Sequence, residues 1–472
     1  MPFEDIPGPK VYPLVGNLFE FFKYPNKVHL LYDEWFRTYG PIFKYTVAGK
    51  TSVMVSDPSD IEKVFKFKPQ EANRGMQEPF VHYRDKNNLP RGLSQTQGEE
   101  WRRNRGVADN MSKPRIVDSY VPRVQDIAAE YAAAVAAASE ANGGSLDAAA
   151  VRERSQMFSL EAIVSILLNL RMGALQPNPP AATGEFAAAV EGMFRAGEKF
   201  MFSLWPWDRS TALEESDQAW DDVFRIARKF IAREVPVMRE IDDGSPSFFD
   251  IMASTGKLSD QELEVMKMEL VAAGVDTTSS AMVNILWALA RSPEWQDRVF
   301  QQACEALDWD GTGDVPAIED PAALRERLPV LNHVVSEGLR LHPVVPLNLR
   351  ILDEDIVLRG YRIPAGHEIM LSVYSTGRMA EHVGTDAERF NPGRFALSNP
   401  SRPSRFATAG FGAMARQCAG KAIAEMQLEM VVLNMVLRYR LSVRGGQPEM
   451  VTRMIMNMDL DSLGPLVIER RS

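Results

Sequence analysis

Cys418 closes the irregular stretch Phe-Gly-Ala-Met-Ala-Arg-Gln-Cys-Ala-Gly (Phe411 to Gly420) and stands directly before a long apolar segment. A sulfur at the entry to a helix faces that helix's unpaired amides and the positive end of its dipole. Negative charge is favoured there, so the thiolate suits a metal. On its own, a buried structural thiol is the plainer reading of such a residue. A second constellation lies within a long apolar pattern: Ala273-Gly274-Val275-Asp276-Thr277-Thr278. Glycine costs about 1 kcal/mol inside a helix, and threonine hydroxyls compete for its carbonyls. An acid and a hydroxyl side by side in such a place are equipped to hold water and pass protons. A third, Glu337-Gly338-Leu339-Arg340, sets a carboxylate and a guanidinium at i and i+3 on one helix face.

Further signals share the chain in a fixed order. Trp101 and Arg105 form Trp-x-x-x-Arg, Leu-His-Pro follows Arg340 with His342 at its centre, and Ala387-Glu388-Arg389-Phe390 comes later. Together with Phe411, Arg416, Cys418 and Gly420 these resemble the cytochrome P-450 family, whose cysteine loop reads Phe-x-x-Gly-x-Arg-x-Cys-x-Gly. Met414 stands where that loop usually has Gly. If the backbone there requires a positive φ, methionine is costly at that position.

The resemblance implies a mainly α fold with a small β region, built as one haem-binding domain over residues 1–472. It implies haem b held through iron by Cys418, with Trp101, Arg105, Arg350, Phe411, Arg416 and Gly420 around the cofactor. Asp276 and Thr277 would serve proton delivery during cleavage of dioxygen. Glu337, Arg340 and Arg389 would form a structural network behind the haem. By position in the family, Ala272, Ala273, Val344, Val345, Leu347, Met454 and Ile455 would wall a pocket for a lipophilic, sterol-like or lipid substrate. The expected activity is insertion of one oxygen atom from dioxygen. The alternative on the same fold is a haem-thiolate isomerase, dehydratase or peroxide-driven enzyme that needs no reductase.

The texture is closest to the animal mitochondrial class, which implies a ferredoxin-type electron donor. That class carries two lysines on the Glu-x-x-Arg helix for this donor, and here Asn332 and Ser336 occupy those positions. The likeness also implies a peripheral place on the matrix side of the mitochondrial inner membrane, or failing that the cytoplasm. The run from Phe200 to Trp207 carries Trp205 and Trp207 and suits peripheral contact with a membrane.

These groups must be positioned by helices. An Ala-rich pattern from Pro122 to Ala141 ends at Asn142-Gly143-Gly144, and helical patterns follow over Arg152 to Arg171, Glu185 to Phe202 and Glu214 to Val235. The pattern continues over Ser259 to Arg291, Pro293 to Leu307, Ala322 to Leu341 and Gly420 to Tyr439. Residues 1–60 read as mostly extended, given Pro7, Pro9 and Pro13 and a hairpin between Ile42 and Val55. Residues 61–341 read as helical, and residues 342–472 as a small sheet, the cysteine loop and a last helix.

Composition sets the outer limits. The 472 residues are 45% hydrophobic and 25% charged, which fits a globular chain with a deep core. A net charge of −10 argues against a nucleic-acid partner. Two cysteines exclude a disulfide framework, and Cys304, with no motif around it, reads as structural. No apolar run of about 18 residues suggests a spanning helix. Phosphate-binding glycine loops and repeats are missing from the sequence.

Overall fold

The computed structural model describes the chain apart from residues 26, 48, 69–72, 76–77, 204–205, 233, 235–237, 446–448, 453–457, 462–463 and 472. Its axis is the 31-residue central helix Asp260–Ala290, about 46 Å long at 1.5 Å per residue. Ser259 and Glu262 close its start with a reciprocal capping box. From Val275 to Ala290 nearly every residue is buried, including Trp287. A helix apolar on all sides needs neighbours on all sides. Ala148–Leu168, Pro329–Leu341 and Lys421–Arg438 supply them within one large core cluster.

The expected helices are present, with informative shifts at their ends. The helix drawn from Pro122 begins instead at Pro114, and Pro122 lies inside it. Proline at the first helical position presets φ there. Burial of Val117, Tyr120 and Val121 then offsets the hydrogen bond that Pro122 removes. The segment from Ala322 to Leu341 is two helices, Pro321–Arg327 and Pro329–Leu341, because Pro329 starts a new one. The first 60 residues are less extended than expected. Val28–Tyr39 is a helix whose buried Leu31, Tyr32, Trp35 and Phe36 recur at helical spacing.

The small sheet is also not confined to the later part of the chain. The hairpin strands Ile42–Val47 and Lys50–Val55 pair antiparallel, the second of them pairs in parallel with Glu368–Ser372, and Leu347–Ile351 completes the four-stranded order on the far side. Tyr439–Val443, Leu466–Arg470 and Ser145–Leu146 make a separate three-stranded sheet.

A buried ionic network fastens the Pro329–Leu341 helix to the irregular chain that leads to Cys418. Glu337 and Arg340 pair at 2.7 Å with neither side chain exposed. Arg340 also donates to the carbonyls of Gly377 (2.6 Å), Ala387 (2.7 Å) and Arg389 (3.2 Å). Oε1 of Glu337 accepts from the Asn391 amide at 2.8 Å and from Arg394 Nε at 3.4 Å. The expectation for Arg389 is therefore corrected. Its side chain is exposed and it contributes only its carbonyl, while the buried Arg394 brings the second guanidinium. The 3-10 turn Pro392–Phe395 rotates Arg394 inward, where it also pairs with Asp386 at 2.7 Å. The sequence held the signal, since Pro392-Gly393-Arg394-Phe395 matches Pro-Glu-Arg-Phe at three positions, including the proline.

The helix bearing this network lies hard against the central helix. A Cβ on Gly338 would stand 2.5 Å from Ile285 Cγ1, so only glycine permits the approach.

Removing one member of a buried pair strands the other, at a cost of about 3–5 kcal/mol. Arg394→Ala should lose that order of stability in denaturant unfolding, whereas Arg389→Ala should stay within about 0.5 kcal/mol of the parent. Equal losses would contradict the assignment of Arg394.

Candidate active site

Cys418 sits at the bottom of a cavity of about 430 Å³, within the range of small-molecule sites. The central helix forms one wall with Ala272, Ala273 and Thr277, and Trp101 and Arg105 enter from the helix Gly98–Ala108. Val344, Val345, Phe411, Arg416 and Gly420 complete the surroundings. Eleven of the residues singled out in the sequence thus line one cavity.

The loop that presents the sulfur is closed by the Cys418 amide donating to the Phe411 carbonyl at 2.9 Å. Sγ is open to the cavity while lying deep in the protein. Burial pushes its pKa up, against the Gly420 amide and the charges of Arg105 and Arg74. A bound metal would reverse that balance, since a coordinating thiol is deprotonated. Met414 has φ +61°, so the loop keeps its left-handed turn with a side chain in place of the usual glycine. Two contacts compensate: Met414 packs on the cluster around Phe406 and Ala413, and its sulfur accepts from Arg405 at 3.2 Å.

Guanidiniums gather on the same side as the loop. Arg416 lies 4.0 Å from the Trp101 ring and donates to the Thr96 carbonyl at 3.1 Å. Arg350 lies 5.0 Å from the Phe65 ring and is 3% exposed. Burial, then the like charges of Arg74 and Arg416, press Arg350 down to about 9. Burial with Arg74 and Arg105 takes Arg416 to about 10. Arg74, which belongs to none of the sequence motifs, also lines the cavity, and burial lowers its pKa as well. Cations held against their own repulsion suit an anionic ligand, and guanidiniums match carboxylates best. An open sulfur, an apolar cavity and this cluster fit a haem with its two propionates.

Thr277 donates to the Ala273 carbonyl at 2.7 Å, one turn back, and faces the cavity. Asp276 is buried and stays outside the cavity wall. Leu347 is a correction. It is packed with Tyr32, Trp35 and Met370, while its neighbour Asn348 lines the cavity, as alternation along a strand requires. Arg350 shares the Asn348 face. Met454 and Ile455 lie outside the described residues, as does Trp205. Both cysteines are free thiols, with Cys304 half-buried. Burial and the charges of Arg378 and Arg340 hold the His342 imidazole well below its ordinary pKa.

Methionine in a left-handed turn carries about 1–2 kcal/mol of strain that glycine lacks. Met414→Gly and Met414→Ala lose the same side-chain contacts, so their difference isolates the backbone. The Gly variant should be the more stable by about 1 kcal/mol in urea unfolding, against the usual order. A more stable Ala variant would contradict the strained turn.

The family model described as Cytochrome P450 matches residues 6–460. Among curated relatives, Cytochrome P450 27C1 of Aquarana catesbeiana is 28% identical over 457 residues, 93% of this chain and 82% of the relative. Cytochrome P450 11B2, mitochondrial, of Mesocricetus auratus is 30% identical over 438 residues, 91% of this chain and 85% of the relative. Cysteine loop, acid–threonine step and buried Glu-x-x-Arg pair thus agree with a match over nearly the whole sequence: the chain belongs to the cytochrome P-450 family and is a haem-dependent monooxygenase.

Proposed function

We propose that the enzyme inserts one atom of dioxygen into a lipophilic, sterol-like or lipid substrate, using haem b bound through Cys418 and electrons from a ferredoxin-type donor. The observation that carries this reading is the common cavity of Cys418 and Thr277, walled largely by apolar side chains. When bound, haem supplies the activation of dioxygen, and a thiolate ligand favours cleavage of the O–O bond.

The chain's own residues have separable tasks. Cys418 Sγ is the iron ligand, and Arg105, Arg350 and Arg416, with Trp101, would neutralise the propionates. Thr277 Oγ1 spends its proton on the Ala273 carbonyl, which leaves its lone pairs to accept from a water in the cavity. Asp276, in the same turn and buried outside the wall, would carry protons from the far side of the helix to that water. Such a pair favours dioxygen chemistry over an isomerase or peroxide-driven reaction, which needs no proton relay. Ala272, Ala273, Val344 and Val345 would exclude water from the substrate.

A mitochondrial location is supported by the name of a relative, Cytochrome P450 11B2, mitochondrial, and a ferredoxin-type donor would follow from likeness to that class. On the helix where that class has two lysines, Asn332 donates to Glu429 at 2.9 Å, and burial holds the Glu429 carboxyl up at about 7. Docking would therefore use cations other than that pair. No described helix is long and apolar enough to cross a membrane. Trp207, 64% exposed, and the exposed Leu14, Phe19 and Phe22 would supply peripheral contact with the matrix face of the inner membrane.

Thr277→Ala should leave substrate affinity within about twofold but lower product per electron consumed by tenfold or more, hydrogen peroxide making up the difference. Coupling unchanged from the parent would contradict the role of Thr277.

A further inference from the structure

One carboxylate in the cavity wall is left over by this mechanism. Glu269 stands on the central helix two turns before Thr277 and one before Ala273, and all three line the cavity on one face. Eight residues separate Glu269 from Thr277, about 12 Å along the axis. The same cavity is lined by the apolar side chains of Phe80, Leu93, Met193, Phe194, Trp220 and Met266.

The carboxylate is fixed from two sides. Oε1 accepts from Arg84 Nη2 at 3.1 Å, and Oε2 accepts from the Leu93 amide at 3.1 Å. The preceding residue is pressed so close that a Cβ on Gly92 would fall 1.7 Å from Oε2. Arg84 is wholly buried, with its guanidinium 4.5 Å from the Trp220 ring and 4.7 Å from that of Phe224. Among the described residues its Nε and Nη1 have no hydrogen-bond partner.

A buried ion pair seldom adds net stability, and buried donors without acceptors subtract from it. Local conflict of this kind marks a functional position. Two of about four acceptor sites on the Glu269 carboxylate are used, which leaves each oxygen able to accept once more. Arg84 already balances its charge, so a neutral donor fits better than an ammonium.

We infer that Glu269, positioned by Arg84 and the Leu93 amide, is the anchor for a hydroxyl group on the lipophilic substrate. The hydroxyl end is held about 12 Å from the Thr277 turn, and the far end of the molecule is presented for oxidation. This rests on the monooxygenase reading of the same cavity and narrows its substrate class to lipophilic alcohols of roughly steroid-nucleus length.

The test uses the haem-loaded full chain and three rigid probes: 5α-androstan-3β-ol, 5α-androstan-3-one and 5α-androstane. Affinities are read from displacement of the Soret band and, independently, from thermal shift. The alcohol should bind about tenfold or more tightly than the hydrocarbon, and the ketone, which cannot donate, should share none of that advantage. Glu269→Gln should reduce the advantage, and Arg84→Met/Glu269→Leu, which removes the whole ion pair, should bring it within about threefold. An alcohol advantage undiminished in both variants overturns the inference. So does equal binding of alcohol and hydrocarbon to the parent, a ketone that matches the alcohol, or no binding of any probe. The reduced carbon-monoxide spectrum of the same sample, taken before any probe is added, separately tests the thiolate-ligated haem.

Discussion

Glu337 is a carboxylate with no exposed surface, and two guanidiniums and one amide converge on it. Bare burial of that charge would cost several kcal/mol, so the surrounding chain is obliged to bring donors to it. Those donors come from segments far apart in the sequence. Arg340 shares its helix, while Asn391 and Arg394 belong to the irregular stretch that runs on to the cysteine loop. Through Arg340 the network also fixes the carbonyls of Gly377, Ala387 and Arg389. A stretch with little regular structure is thus held in one conformation, and the loop at its end presents Cys418 to the cavity. The network touches no part of that cavity. Its contribution to chemistry lies in where it puts the sulfur.

Within the cavity the electrostatics are arranged for a ligand that is anionic at one edge and apolar across its face. Arg74, Arg350 and Arg416 repel one another, Arg105 adds its charge beside Arg74 and Arg416, and burial keeps water from Arg350 and Arg416. A thiol raised by burial at one position and guanidiniums lowered by it at others are strained in opposite senses. A group bringing both a metal and carboxylates relieves the two together. The Met414 turn belongs to the same economy. The loop keeps a backbone shape that methionine disfavours, with side-chain packing and the Arg405 contact as compensation.

Much of the candidate site was legible because its motifs are short and local. Cys418 before a helix, Asp276-Thr277 within one, and Glu337 three residues from Arg340 each declare a geometry that depends on few neighbours. The misses have a different origin. Arg389 and Arg394 both precede a phenylalanine, and only the turn at Pro392 decides which one points inward. Position in the family implies Leu347 for the substrate wall, yet the register of its strand turns Asn348 to the cavity instead. Pro7, Pro9 and Pro13 make the start of the chain read as extended, but they end 15 residues before the Val28–Tyr39 helix, whose buried residues keep helical spacing. Arg74 and Glu269 carried no local signal. Their significance comes from tertiary approach: Arg74 enters the guanidinium cluster from another segment, and the Gly92–Leu93 backbone closes on Glu269.

The central claim is that Cys418, held at the foot of this cavity, ligates haem iron as a thiolate. The most direct test is the carbon-monoxide difference spectrum of the dithionite-reduced holoprotein beside that of Cys418→Ala. A strongly red-shifted Soret band in the parent that disappears in the variant is the predicted result. A histidine-like band in the parent, or a red-shifted band that survives in Cys418→Ala, would contradict the account.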